Sequence, residues 1–347
     1  MPPTIDIFDS QTMLEMINES EAFKPKQFLS MNFFPVSMNI EGDTVIIDIF
    51  KGKRRVAPFV SPKVEGKLIE KRGYTTRTIK VPYLKPKMLT TAVDLLKRFP
   101  GQIPFGMGRS GQEYASEQLG RDLEELMDMI RRRYEVMSSQ ALVDGKIIVK
   151  GDGIDQEIDF LRDPSHEIAL VGTDAWDDAA SDPIGDILEW KILVQEDSGL
   201  TPDVLILGDE ALSALLNNEK AQKLLFSFRE HGIATLNRIE MAEGSTFYGQ
   251  IHGINIVSYH DWYLDDLSVS TPYIPSKKAI MAVSGVRSDN ATHFAAIQDL
   301  KAGLVATPMF PKSWEIEDPS GQMVMVQSAP LVALHRPETT VVVDVLP

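Results

Sequence analysis

The chain has 347 residues, no cysteine, and 35 basic against 50 acidic side chains, a formal charge of −15. That length suggests roughly two or three compact units, and a hydrophobic share of 43% is enough for real cores, which excludes wholesale disorder. Without cysteine there are no disulfides, thiolate zinc sites, iron–sulfur clusters or cysteine nucleophiles, and net acidity argues against a protein that wraps nucleic acid, because neutralising phosphate takes Lys and Arg. The opening Met1-Pro2-Pro3-Thr4-Ile5-Asp6 has neither the basic start nor the apolar core of a signal peptide. No apolar run approaches the roughly 18 residues of a membrane span. The expectation is a soluble protein made in the cytosol, with no membrane partner.

In chain order, the first thirty residues offer one short helix. Asp9 or Ser10 can cap it, Met13, Leu14, Met16 and Ile17 form its apolar side, and Pro25 ends it. So little apolar surface must dock on something else. Asp43 to Phe50 is a β-branched run ended by Lys51-Gly52-Lys53, and Thr75 to Val81 alternates like its partner. Between them Val56 to Pro62 is apolar but broken by proline, which suits an edge or an extended crossing. Lys51 to Lys87 holds twelve basic and two acidic residues, a local charge of +10, and too few apolar positions for a core of its own. From Gln112 to Leu142 the apolar residues Leu119, Leu123, Leu126, Met127, Ile130, Tyr134, Met137 and Ala141 recur at steps of three and four, the stripe of a long amphipathic helix. Arg131, Arg132 and Arg133 read as its solvated face. Lys146–Lys150 and Glu157–Leu161 form a hairpin around Gly151-Asp152-Gly153.

Asp152 to Glu189 carries twelve acids and one base, Arg162, a local −11. Opposite charges segregated along one chain suggest complementary surfaces. Pro183 opens a helix to about Glu196; Thr201–Gly208 is a buried strand, Glu210–Phe228 is helical, Thr246–Ser258 is a hairpin turning near His252-Gly253, and Lys278–Ser284 is a strand. This alternation over 183–300 reads as a compact α/β unit. Short strands close the chain at Val324–Ala329 and Thr340–Val345.

The chemistry-bearing patterns are weak. Gly106-Met107-Gly108-Arg109-Ser110-Gly111 has dinucleotide-loop spacing and precedes a helix, but a proline-broken loop stands where the buried strand should be. A glycine hinge is the better reading. The six histidines form no i, i+4 metal pair. His260-Asp261 could be half of a catalytic dyad, yet no Gly-x-Ser-x-Gly elbow supplies a nucleophile. Asp177, Asp178, Asp182 and Asp186 lack the spacing of a calcium loop. The expectation is no enzyme, no cofactor and no metal; the rival is a small-molecule enzyme with its catalytic α/β domain at 183–300.

Two blocks carry a resemblance. Ala57-Pro58-Phe59-Val60-Ser61-Pro62-Lys63-Val64-Glu65-Gly66, with Arg72-Gly73 and Tyr83-Leu84-Lys85-Pro86-Lys87, resembles the hairpin region of the lambda-type major capsid proteins of tailed bacteriophages. Pro311-Lys312-Ser313-Trp314, Asp318-Pro319 and Gln327-Ser328-Ala329-Pro330-Leu331-Val332-Ala333-Leu334 are similar to that family's C-terminal block. The resemblance implies an α+β chain with the Hong Kong 97-type capsid fold. Residues 1–42 would be an N-terminal arm, 43–90 an extended loop, 91–170 a peripheral domain with its spine helix at 112–142, 171–300 an axial domain, and 301–347 the peripheral domain's C-terminal strands. It also implies the partners: copies of itself in pentamers and hexamers, a scaffold and a portal ring, a decoration protein as an optional addition, and packaged DNA by weak non-specific contact. The location would be the virion, after assembly in the host cytoplasm. A related non-viral container or gene-transfer particle shares all these features. Lys51, Lys53, Arg54, Arg55, Lys63, Lys67, Lys71, Arg72 and Arg77 are then the candidate contacts between subunits.

Overall fold

A computed structural model describes residues 10, 12–14, 27–50, 56–69, 74–91, 111–151, 153–222, 239–240, 244–265, 268–300, 302–318 and 320–347. The first half contributes α1 (Phe28–Phe33), β1 (Val36–Ile40), β2 (Thr44–Phe50), β3 (Tyr74–Lys80), β4 (Lys87–Thr91), the long α2 (Gly111–Asp144), β5 (Lys146–Gly151), β6 (Ile154–Asp159) and β7 (Glu167–Ala169). Then come α3 (Pro183–Ser198), β8 (Val204–Leu207), α4 (Asp209–Asn217), β9 (Ile239–Glu240), β10 (Ser245–Ile251), β11 (Ile254–Tyr259), β12 (Trp262–Leu264), β13 (Ser270–Pro272) and β14 (Lys278–Ala282). The chain closes with β15 (Ala291–Ala295), β16 (Phe310–Ile316), β17 (Gly321–Gln327), β18 (Pro330–Ala333) and β19 (Thr340–Asp344).

The predicted stripe is the buried side of α2, a 34-residue helix about 51 Å long. Its first part, Leu119 to Ile130, packs with Met13, Val324 and Val326. Its last part, Val136 to Val143, enters the main core with Phe33, Ile47, Ile147 and Leu331. Arg162 terminates it. The buried guanidinium donates to the carbonyls of Leu142 at 2.6 Å and Val143 at 2.7 Å, groups that a helix end leaves without partners. Gly145 follows in the left-handed region at φ 64°, where a Cβ would lie 3.0 Å from the Arg162 Nε. Arg131, expected on the solvated side, is buried and pairs with Asp128 at 2.9 Å, whereas Arg132 and Arg133 are exposed.

The largest sheet has seven strands in the order β7-β19-β14-β8-β11-β10-β9. Its strands alternate between two cores, as the period of two requires. Leu205, Leu207, Met281, Val341 and Val343 face α3 and α4 with Trp176, Ile187, Trp190 and Leu212. Ile206, Val257, Tyr259, Ile280 and Val342 face the core that holds α1 and the end of α2. The β10–β11 hairpin turns at His252 (φ 50°) and Gly253 (φ 81°), the paired positive φ of a tight two-residue turn. The run 340–345, grouped by sequence with the late strands, lies inside this sheet instead: β19 pairs antiparallel with β14 and parallel with β7. An all-apolar run identifies a buried strand but not its neighbour. The sheet therefore takes strands from both sides of the expected boundaries at 171 and 301.

Two smaller sheets surround α2. β16-β17-β4 covers its first half, and β1-β15-β18 sits beside its second, with β1 parallel to β15. β2–β3 and β5–β6 are separate hairpins.

Candidate assembly surfaces

Among the described residues, the β2–β3 hairpin is held at its base. Val45, Ile47 and Ile79 are buried in the main core, Val81 N–H donates to the Asp43 carbonyl at 3.0 Å, and Arg77 donates to the Asp159 carbonyl at 2.9 Å. Beyond the base, every residue from Val56 to Ile69 is exposed. Phe59 is fully exposed, Leu68 is 96% and Val56 89% exposed. Burying side chains of this size is worth about 1.5–3 kcal/mol each, so a cluster left in water on one loop marks a surface awaiting a partner.

Of the nine cations named as candidate contacts, Lys63 and Lys67 lie on this exposed loop. Arg77 is half-buried and bound within its own chain. Lys51, Lys53, Arg54, Arg55, Lys71 and Arg72 lie outside the described residues. The charge pattern directed attention to the cations and missed Phe59. Its signal was an aromatic residue in a proline-broken stretch that no strand can bury.

The acidic stretch is less available than its charge suggests. Glu157 pairs with Lys146 at 3.1 Å and Glu167 with Arg162 at 3.2 Å. Asp163 accepts from Ser165 N–H at 3.0 Å, Asp178 from Ala180 N–H at 2.8 Å, and Asp182 from Gly185 N–H at 3.4 Å at the start of α3. Asp186 takes the Trp176 indole N–H at 2.9 Å; burial is the main cause raising its pKa above the usual aspartate value. Asp155, Asp174, Asp177 and Glu189 are exposed. The four aspartates weighed as a calcium loop thus include three engaged in local structure, and among the described residues no group of three His, Asp or Glu side chains is placed to hold a metal.

The remaining candidates resolve into packing. His260 pairs through Nδ1 with Asp209, the first residue of α4, and not with Asp261. Asp261 accepts instead from Trp262 N–H at 2.9 Å. His166 is fully buried between the Thr340 carbonyl at 2.8 Å and Asp197 at 2.9 Å. The glycine pattern 106–111 lies outside the described residues except for Gly111, where α2 begins. Among the described residues, no helix is long and apolar enough to cross a membrane.

A surface loop without a core and a long helix between two sheets lead to a comparison with shell proteins. The family model of phage major capsid protein E matches residues 9–345. The chain belongs to this family. It is 27% identical over 347 residues to the major capsid protein of Enterobacteria phage P21, a match covering 98% of this chain and 99% of that one. To the major capsid protein of Escherichia phage lambda it is 27% identical over 324 residues, covering 90% and 92%. A crystal structure described as a prophage capsid protein of Escherichia coli CFT073 superposes with a TM-score of 0.74 at 21% identity, over 97% of this chain and 98% of that one. A phage-related protein from Bordetella bronchiseptica RB50 gives 0.59 at 13% identity, covering 99% and 100%. The fold of this phage major capsid protein is the Hong Kong 97 type, mixed helix and sheet. Nothing in these comparisons supports a catalytic domain at 183–300.

Proposed function

We propose that this capsid protein builds a closed icosahedral shell around phage DNA by self-association through pentamers and hexamers, without catalysing a reaction. The observation that carries the reading is the loop Val56–Ile69, exposed along its whole described length and rich in apolar side chains. Such a loop makes sense when a neighbouring copy supplies its other face, and contacts repeated around symmetry axes close a shell. On this reading 1–42 is the arm, 43–90 the extended loop, 91–170 and 301–347 the peripheral domain, and 171–300 the axial domain, with β19 reaching across into the axial sheet. Scaffold, portal and, in some shells, decoration proteins are the other partners, and the virion, assembled in host cytoplasm, is the location.

The +10 segment lies across an acidic surface of the adjacent copy, with Asp155, Asp174, Asp177 and Glu189 among the exposed acids of the −11 stretch. Complementary charge there sets register and speeds encounter more than it deepens affinity. Reversing Arg54, Arg55 and Lys63 together to Glu is expected to abolish closed shells and leave soluble, folded subunits. Normal shells of the triple variant in electron micrographs would sink the charge argument.

A further inference from the structure

The hairpin β12–β13 links β11 to β14, and its two faces differ in kind. Trp262 stands opposite Pro272, Tyr263 opposite Thr271, and Leu264 opposite Ser270. The alternation sends Tyr263 inward, where its ring lies 5.1 Å from that of buried Tyr273. Trp262 and Leu264 go outward and are 51% and 71% exposed, with Val269 beside the turn at 54%. One face is thus anchored by aromatic packing while the other offers a tryptophan and a leucine to solvent. Tryptophans on firmly seated elements are the usual centres of protein interfaces.

The segment that carries that face is acidic. From Asp261 to Ser276 the sequence holds Asp261, Asp265 and Asp266 and no Lys, Arg or His. Asp261 and Asp265 are held in place by accepting from Trp262 N–H at 2.9 Å and Val269 N–H at 2.8 Å. The loop Val56–Ile69 has the matching character: exposed Phe59 and Leu68 for the apolar face, and Lys63 and Lys67 within a segment of charge +10 for the acids. Both surfaces are open at once in the single chain, so neither is covered by the other within one copy.

We propose that the outer face of β12–β13, centred on Trp262 and Leu264, seats the Phe59 loop of a second copy of this chain. The proposal rests on the reading that the chain assembles with its own copies, and it gives the loop's apolar residues a seat of their own, flanked by acids other than those of 152–189. Apolar burial then fixes how long the contact lasts, while the flanking acids orient the incoming basic loop.

The test places a photo-cross-linking p-benzoylphenylalanine at position 59 of the full-length chain and irradiates purified particles. The expected product is a covalent dimer whose cross-linked peptide contains residues 261–272. Dimers mapped to other peptides of the chain, with none at the hairpin, overturn the proposal while leaving self-assembly intact; adducts to a different protein do the same. Failure of the wild-type chain to form any multi-copy particle overturns the underlying reading instead. As a second measurement, the double variant Trp262→Ser, Leu264→Ser should keep its circular dichroism and lose about tenfold or more in particle yield by sedimentation, whereas Val286→Ser, an exposed apolar site elsewhere, should not. Wild-type yield from a folded double variant would refute the seat.

Discussion

His293 on β15 faces His335 with the two Nε2 atoms 3.0 Å apart and the rings edge to face. Two neutral imidazoles satisfy that contact when one Nε2–H donates to the other Nε2; two protonated rings have no acceptor between them. Burial, and then the neighbouring charge of His335, lowers the His293 pKa to about 4 from the ordinary 6.5. Folding therefore favours the neutral ring. Its contribution is fully present above pH 6.5 and is lost as the pH falls through about 4, with a ceiling of roughly 3 kcal/mol for a shift of that size. Urea unfolding of His293→Gln should show a flatter dependence of stability on pH across that window than the wild type. Parallel profiles would exclude His293 as the source.

At the scale of elements, the contact between α1 and α2 depends on one carboxylate. Glu135, fully buried in α2, accepts from Leu29 N–H at 2.6 Å and Ser30 N–H at 3.0 Å. These donors belong to the first turn of α1, which has no side-chain cap at Gln27. Six residues are too few for a helix to stand alone, so α1 takes its place from this capping and from Phe28, Leu29 and Phe33 in the core. Burial raises the Glu135 pKa, opposed by those same hydrogen bonds. Glu135→Ala removes the acceptor of the buried Leu29 N–H, of the half-buried Ser30 N–H and of the Tyr259 hydroxyl, and should cost about 3 kcal/mol in denaturant unfolding. It should also speed amide exchange in residues 28–33 before any change at the far end of α2. Uniform exchange along both helices would argue against a local role.

At the scale of the molecule, the net −15 divides into a +10 segment and −25 on everything else. On the proposed reading, a shell wall with that excess would repel phosphate and let packaged DNA slide along it. Free subunits should therefore pass through a column of immobilised duplex DNA at about 0.1 M salt without retention, an ionic strength at which basic patches still bind. Retention would show that the basic loop dominates the surface. Sequence made much of this molecule legible. The stripe from Leu119 to Ala141 located α2 to within a few residues, and the turn at His252-Gly253 placed the β10–β11 hairpin, because both are local patterns with their own periods. β1, β4 and β15 were not legible. Val36–Ile40, Lys87–Thr91 and Ala291–Ala295 are short, mixed segments that become strands through partners more than two hundred residues away or, for β15, through β1 and β18 together. The assembly surface was half legible: its charge is a count, but the exposure of Phe59 and Trp262 follows from packing that no count contains.

The position of β19 carries a consequence for timing. A growing chain emerges N-terminus first, at about 5–20 residues per second, and β19 lies between β7 and β14, strands made long before it. Until residues 340–344 leave the ribosome, β7 has no strand beside it and the edge of β14 stays open. An unfinished chain therefore holds its seven-stranded sheet in two pieces. Translation itself acts as the clock: a copy becomes a regular building block only when nearly all of its sequence has been read, so that truncated products lack the finished surface that their complete siblings present.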